Sequence, residues 1–127
     1  MIYNYNSLYI HLNIAYEMQL LEKKFQGKSA YEAFQSFGDN GAPICLAYTP
    51  DKFVKLCEQA GFQTKFSGAA FSINELQCWD RHKDSVLDCN DLPQEHRNFL
   101  TKVSDGKYPK YEGANAGMDA VFELYKS

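Results

Sequence analysis

One stretch of the chain, residues 48–71, carries a complete set of signals for a helix followed by a strand. Thr49 is a good N-cap, and Pro50 occupies the first helical position, where a missing backbone N–H costs nothing. The apolar residues of the helix fall on one stripe, formed by Phe53, Val54, Leu56, Cys57 and Ala60. Gly61 supplies the left-handed position that ends many helices, and the β-branched and aromatic residues after it favour a strand over 62–71.

The composition is that of a chain able to build a hydrophobic core. Its 127 residues have the length of one domain, so we treat 1–127 as a single domain. Hydrophobic residues make up 45% of the chain, which argues against disorder, and the net charge of −3 offers no basic surface for nucleic acid. No segment approaches the ~20 apolar residues of a membrane span, and the N-terminus lacks the features of a signal peptide. We therefore expect a cytoplasmic domain that binds neither nucleic acid nor a membrane.

The four cysteines give no metal-binding motif. Cys45, Cys57, Cys78 and Cys89 are spaced too irregularly for the close pairs of a zinc site. We interpret them as reduced, mostly buried thiols and predict no metal.

The region before the central unit, residues 7–37, is predicted to be helical. Two neighbouring apolar stripes indicate a helix over 8–25 that is covered on more than one side. Ser29 and Glu32 spell a capping box, which favours a short helix over 30–37. The glycines and proline of 38–43 then predict a loop.

The region after the central unit is an excursion over 75–117 followed by a closing strand. The excursion lacks a clean period, with one helical turn near 84–87 and a short helix over 93–103. The closing strand, 118–126, carries apolar residues on both faces, which predicts that both faces are covered.

These elements predict an α+β fold. We expect a small sheet of two or three strands, with the last strand antiparallel, flanked by about four helices. So small a sheet leaves exposed edges, which natural proteins protect, and we therefore predict a homodimer.

The three histidines belong to no recognisable catalytic motif. We expect His11 to be a satisfied or partly exposed histidine inside the first helix, His82 to lie in a solvated loop, and His96 to lie on a polar helix face. Cysteine–histidine pairs such as Cys78 with His82 can be drawn in any chain of this composition and carry little information.

The order of the elements resembles the C-terminal portion of class I S-adenosylmethionine-dependent methyltransferases. In that family a Tyr-Thr/Ser…Leu…Ala-Gly-Phe segment forms the last helix and leads into the sixth strand. The matching residues here are Tyr48, Thr49, Phe53, Leu56, Ala60, Gly61 and Phe62. The resemblance makes residues 2–7 the end of a fifth strand and the loop after it. It makes 118–126 the seventh strand, inserted antiparallel between the fifth and the sixth, so the implied fold is a fragment of an α/β Rossmann-like sheet.

The chain departs from the family in its cofactor site. It has no strand followed by a glycine-rich loop and a helix, which in the family holds S-adenosylmethionine. We therefore expect that this chain alone binds no cofactor and has no activity in isolation. We expect it to bind S-adenosylmethionine only if a missing N-terminal half completes the fold. The resemblance assigns no catalytic residue to this chain. The resemblance places contacts to a small-molecule substrate at Asn6, Tyr9 and Tyr48, with ordinary capping or packing as the alternative for each.

Two main functions remain open from the sequence, beside a third possibility, a small thiol or metal enzyme. The first is a methyltransferase-like C-terminal domain. The alternative is a stand-alone α+β binding or interaction module that binds a protein or small ligand through its aromatic-rich helices and forms a dimer that protects its strand edges.

Overall fold

A computed structural model describes residues 2–37 and 46–126 of the chain. The predicted loop over 38–43 and Cys45 lie outside these residues. The helices α1 to α5 are, in chain order, Tyr9–Leu21, Ala30–Phe37, Pro50–Gln59, Ile73–His82 and Gln94–Lys102. The strands β1 to β6 are Ile2–Asn4, Ala47–Tyr48, Phe62–Ala70, Lys110–Tyr111, Ala114–Asn115 and Asp119–Lys126. Among the described residues, no helix is long and apolar enough to cross a membrane.

Four of the strands form one mixed sheet in the order β2–β1–β6–β3. Strands β1 and β2 are parallel, whereas β6 runs antiparallel to both of its neighbours, β1 and β3. The α+β class and the antiparallel last strand are confirmed, but the described sheet has four strands where we expected two or three. The additional strand, β2, is only two residues long, too short to produce an alternating pattern of its own.

The helix–strand unit forms as its signals predict. Oγ1 of Thr49 accepts the backbone N–H of Lys52 at 3.4 Å, and α3 begins at Pro50. Gly61 adopts a φ of +97°, the left-handed conformation that favours glycine. Strand β3 follows at once and pairs with β6 along its length, interrupted by a bulge between Phe66 and Gly68.

Among the residues that the structure describes, a helix packs against only one face of the β3–β6 pair. On that face the ring of Phe53 from α3 lies 4.4 Å from the ring of Phe122, which in turn lies 5.3 Å from Phe66. On the opposite face Val121 is 53% exposed and Tyr125 is 56% exposed. The prediction that the closing strand is covered on both faces is therefore wrong, because no helix among the described residues packs against the second face.

Helix α1 is a π-helix over its whole length rather than the expected α-helix over 8–25. The wider hydrogen-bond spacing is visible at its end, where the N–H of Glu22 donates to the carbonyl oxygen of Glu17 at 3.0 Å. Seven consecutive residues, 10–16, are buried, because α2, α4 and α5 all pack against this helix. Cover on more than one side was predicted correctly; the π-helical turn was not.

Helix α4 occupies part of the region that we interpreted as an irregular excursion. It begins with a capping box in which Ser72 and Glu75 each bond the backbone of the other residue. The pattern Ser-x-x-Glu is present in the sequence, and it could have identified this helix as it did α2. Trp79, on the buried face of α4, donates to Asp105 at 3.1 Å.

Candidate functional site

The carboxyl ends of β1, β2 and β3 point toward the same edge of the sheet, because these three strands are parallel to one another. In open α/β sheets, ligands bind in the crevice outside this edge. A cavity of about 260 Å³ lies there. Its wall is formed by residues of the β1–α1 loop, α3, β3 and the β4–β5 hairpin: Asn4, Asn6, Pro50, Asp51, Phe66, Tyr111, Glu112, Gly113, Ala114 and Asn115.

Asn4 fixes the backbone at the base of this cavity. Its amide Nδ2 donates to the carbonyl oxygens of Asn6 and Gly117, each at 3.0 Å, and its Oδ1 accepts the N–H of Asn6 at 3.0 Å. The side chain is 2% exposed, so these bonds replace the water that it gives up. Gly117 packs directly on the backbone of Ala70, where a Cβ atom would overlap the carbonyl oxygen. The amide thus ties the loop after β1 to the segment that enters β6.

A buried carboxylate, Glu75, joins the loops of the same edge. Its oxygens accept the backbone N–H groups of Tyr9 at 3.2 Å, Ser72 at 2.9 Å and Met118 at 3.2 Å. None of its surface is exposed. Burial raises the pKa of Glu75 to about 7, although the N–H donors favour the ionised form. Sequence reasoning did not single out this residue.

The structure separates the three substrate-side residues that the resemblance suggested. Asn6 lines the 260 Å³ cavity, whereas Tyr9 and Tyr48 are not among the described residues of its wall. The ring of Tyr9 meets Phe34 edge-on at 6.2 Å, and the ring of Tyr48 lies 5.7 Å from Phe53. Ring packing is the alternative that was left open for the two tyrosines, and a ligand contact stays a prediction for all three residues.

A second cluster brings two buried histidines together. Nδ1 of His11 on α1 lies 2.8 Å from Nδ1 of His96 on α5, and the two side chains are 2% and 5% exposed. The expectation that His96 lies on a polar helix face is wrong, because α5 packs this side of the helix against α1. Burial lowers the pKa of His11 to about 3 and also lowers that of His96, so both imidazoles are neutral at pH 7.

The hydrogen bonds of this pair assign its protons. Nε2 of His11 lies 3.0 Å from the carbonyl oxygen of Tyr5, which can only accept, so this nitrogen carries the proton. In neutral His11 the other nitrogen, Nδ1, is then an acceptor, and it must receive the proton of His96 Nδ1. This leaves a lone pair on Nε2 of His96. A cavity of about 380 Å³, lined in part by Tyr5, Glu95 and His96, lies beside the pair.

A third cluster surrounds Glu17 on α1. One carboxylate oxygen, Oε2, lies 2.7 Å from Nη2 of Arg81, 2.8 Å from Nε2 of His82 and 3.7 Å from Sγ of Cys78. His82 therefore lies in a helix and bonds a carboxylate, which corrects its placement in a solvated loop. Burial raises the pKa of Cys78 to about 12, so its thiol is not an activated nucleophile.

Comparisons with known proteins identify no relative of this chain: no protein-family model, no curated protein and no solved structure matches it.

Proposed function

We propose that this chain is a methyltransferase-like C-terminal domain, related to class I S-adenosylmethionine-dependent enzymes, that forms the substrate side of the fold. In this assignment β1, β3 and β6 correspond to the fifth, sixth and seventh strands. The proposal includes a cytoplasmic location and an isolated chain without turnover.

The observation that supports this proposal most directly is the position of β6. A last strand can join a sheet most simply at an edge, yet β6 lies between β1 and β3 and is antiparallel to both. The resemblance implies this insertion for 118–126, and the helix–Gly–Phe unit that precedes β3 carries the matching residues. In an unrelated fold, the inserted antiparallel strand and the helix–Gly–Phe unit would have to arise independently.

The cavity at the carboxyl edge supports a small-molecule substrate. Its volume of about 260 Å³ is slightly below the usual lower limit of ligand sites, about 300 Å³, which suits part of a substrate or a small one. Asn6 and Asp51 line it and offer hydrogen-bonding groups. The 127 residues contain no glycine-rich loop to hold S-adenosylmethionine.

Calorimetric titration of the isolated chain with S-adenosylmethionine tests the absence of a cofactor site. We expect no binding in the micromolar range, and micromolar affinity would contradict the proposal of an incomplete enzyme. The DNA sequence upstream of the codon for Met1 provides the second test. An in-frame strand, glycine-rich loop and helix would support the family assignment, and the joined chain should then bind S-adenosylmethionine. An Asn6→Ala variant of the joined chain should retain cofactor binding and lose affinity for substrate.

One observation favours the alternative, a stand-alone interaction module. The second face of the β3–β6 pair is uncovered, and β3 lies at the edge of the sheet with its outer side unpaired by any described strand over most of its length. A second copy of the chain could cover this face and pair with this edge. A homodimer that binds no substrate-like small molecule and whose upstream DNA encodes no cofactor half would favour this function over the first.

A further inference from the structure

The two buried histidines, His11 and His96, face each other through the same ring nitrogen, Nδ1. The two Nδ1 atoms are 2.8 Å apart. With Glu95 the two histidines form a cluster in which one ring nitrogen of each histidine and a carboxylate oxygen lie within 4.8 Å of one another. Two imidazole nitrogens and one carboxylate oxygen are the ligands of many catalytic zinc and iron(II) sites. These residues come from α1 and from adjacent positions at the start of α5, so the fold and not a local motif brings them together.

The surroundings of His11 are those of a metal-binding histidine. A ligating imidazole almost always donates its other N–H to a carbonyl or carboxylate oxygen, which fixes the ring. Nε2 of His11 has this partner in the carbonyl oxygen of Tyr5, at 3.0 Å. The ring is further held by Phe99, stacked at 4.0 Å, and by the edge of Tyr5 at 5.2 Å. The nitrogen that remains for a ligand bond, Nδ1, is the one that faces His96.

The carboxylate has a supporting contact of the same kind. The hydroxyl group of Tyr5 donates to Oε1 of Glu95, so one residue orients two of the three groups. The 380 Å³ cavity is lined by Tyr5, Glu95 and His96, so it borders two of the three groups, and water or a substrate atom could reach the cluster from it. Catalytic zinc sites combine three protein ligands with such an open position, whereas structural sites are closed.

We propose that His11, His96 and Glu95 bind a divalent transition-metal ion such as Zn²⁺, with the fourth position open to the adjacent cavity. Without metal the histidines share the proton on Nδ1 of His96. With metal that proton is carried on Nε2 instead, so both Nδ1 atoms have a lone pair and His96 stays neutral. Two nitrogens on a tetrahedral zinc ion lie about 3.3 Å apart, so the rings need to separate by only about half an ångström.

The cluster around Glu17 is a weaker candidate for the same ion. One ligand atom from each of Glu17, Cys78 and His82 also lies within 4.8 Å of the other two. However, Oε2 of Glu17 is bonded by the guanidinium group of Arg81 at 2.7 Å, and this fixed cation opposes a second one. His82 therefore provides the matched control, being the third histidine of the chain and outside the proposed site.

The experiment is zinc titration of the purified full chain after treatment with a chelator, followed by Co²⁺ substitution. We expect one zinc ion per chain and visible Co²⁺ bands of the intensity typical of four-coordination. His96→Gln should weaken zinc binding by more than about 100-fold, because it removes a ligand, and Tyr5→Phe should weaken it about tenfold through the orientation of Glu95. Glu95→Gln tests the third ligand at an exposed position, where loss of folding is not expected. His82→Gln should leave the affinity unchanged.

Three results would overturn the proposal. The first is the absence of stoichiometric zinc and cobalt binding by the folded wild-type chain. The second is unchanged affinity in both Glu95→Gln and His96→Gln, with folding verified by circular dichroism. The third is loss of binding in His82→Gln alone, which would assign the metal to the Glu17 cluster.

Discussion

Oε1 of Glu75 accepts the backbone N–H of Met118 at 3.2 Å, so a carboxylate on α4 holds the segment that enters the last strand. The other oxygen, Oε2, accepts the N–H of Tyr9 at 3.2 Å, at the start of α1. One fully buried side chain thus fixes two loops of the edge where the 260 Å³ cavity lies. Because burial and hydrogen bonding act on its pKa in opposite directions, the protonation of Glu75 is a direct test of this arrangement.

We expect Glu75 to make the protein less stable as the pH rises. Burial raises its pKa from 4.5 to about 7, so the native state binds this proton more tightly than the unfolded state does. The resulting stabilisation is complete below pH 4.5 and is lost as the pH rises through 7. Relative to Glu75→Gln, which does not titrate, the free energy of unfolding of the wild type should fall by about 3 kcal/mol across this range. Urea unfolding of both proteins at a series of pH values measures the difference.

The comparison between the two proteins removes the contributions of all other titrating groups, as long as these are the same in both. Parallel pH profiles for the wild type and Glu75→Gln would contradict the raised pKa. A difference that grows in the opposite direction would indicate that the N–H donors outweigh burial.

Gly117 should not tolerate a side chain. A Cβ atom at this position would overlap the carbonyl oxygen of Ala70, which is backbone and cannot rotate away. We expect Gly117→Ala to lower the free energy of unfolding by about 2 kcal/mol or more. Gly113→Ala separates this overlap from backbone strain, since Gly113 has a φ of +82° and no described atom within 4 Å of the place that a Cβ would occupy. It should cost only about 1 kcal/mol, and an equal cost in the two variants would contradict the close approach.

The aromatic contact between α3 and the sheet should be a main source of stability for the helix–strand unit. Phe122 lies between the rings of Phe53 and Phe66. We expect Phe122→Ala to reduce the free energy of unfolding by about 2–3 kcal/mol, less than for a fully buried ring because this side chain is half-buried. Val121→Ala, one position along on the uncovered face, should change the free energy of unfolding of the monomer by less than about 0.5 kcal/mol, measured at protein concentrations below those at which the chain dimerises. Thermal or urea unfolding compares the two, and similar losses would mean that the second face is also packed.

The parts of the fold that the sequence predicts are those with strong local signals. Thr49, Pro50 and Gly61 act on their own backbone neighbourhood, so the bounds of α3 and the start of β3 follow from them. Strand β2 has two residues and exists because it pairs with β1, a contact that no local pattern encodes. The π-helical hydrogen bonding of α1 is likewise not encoded by a local pattern, since its apolar residues suit an α-helix equally well, and three other helices pack against it.

The candidate sites were harder to predict for the same reason. His11 and His96 are 85 residues apart, and the spacing of neither residue from its sequence neighbours matches a known metal-binding motif. Glu75 was recognisable as part of a Ser-x-x-Glu capping box, but its burial depends on the loops that close over it. Asn6, which the resemblance singled out through the order of strands, does line the cavity at the carboxyl edge, and its contact with a substrate stays a prediction.

The uncovered face of the β3–β6 pair leads to the prediction of self-association. Val121 and Tyr125 expose more than half of their surface there, and β3 offers an edge beside them that no described strand pairs over most of its length. Since exposed strand edges and apolar faces favour pairing with another chain, we expect a homodimer in which this surface is buried. Light scattering coupled to size-exclusion chromatography measures the molar mass, and a monomer at high protein concentration would contradict the prediction.

A pair of lysine substitutions tests which surface forms that dimer. Val121→Lys places a charge on the uncovered face, and its 53% exposure means that the fold can accept the side chain. We expect it to shift the protein to a monomer, because the charge would have to be buried in the interface. Leu56→Lys is the matched control, being 47% exposed on α3, which packs against the opposite face of the sheet. It should leave the dimer intact, and dissociation by Leu56→Lys but not by Val121→Lys would assign the interface to α3 instead.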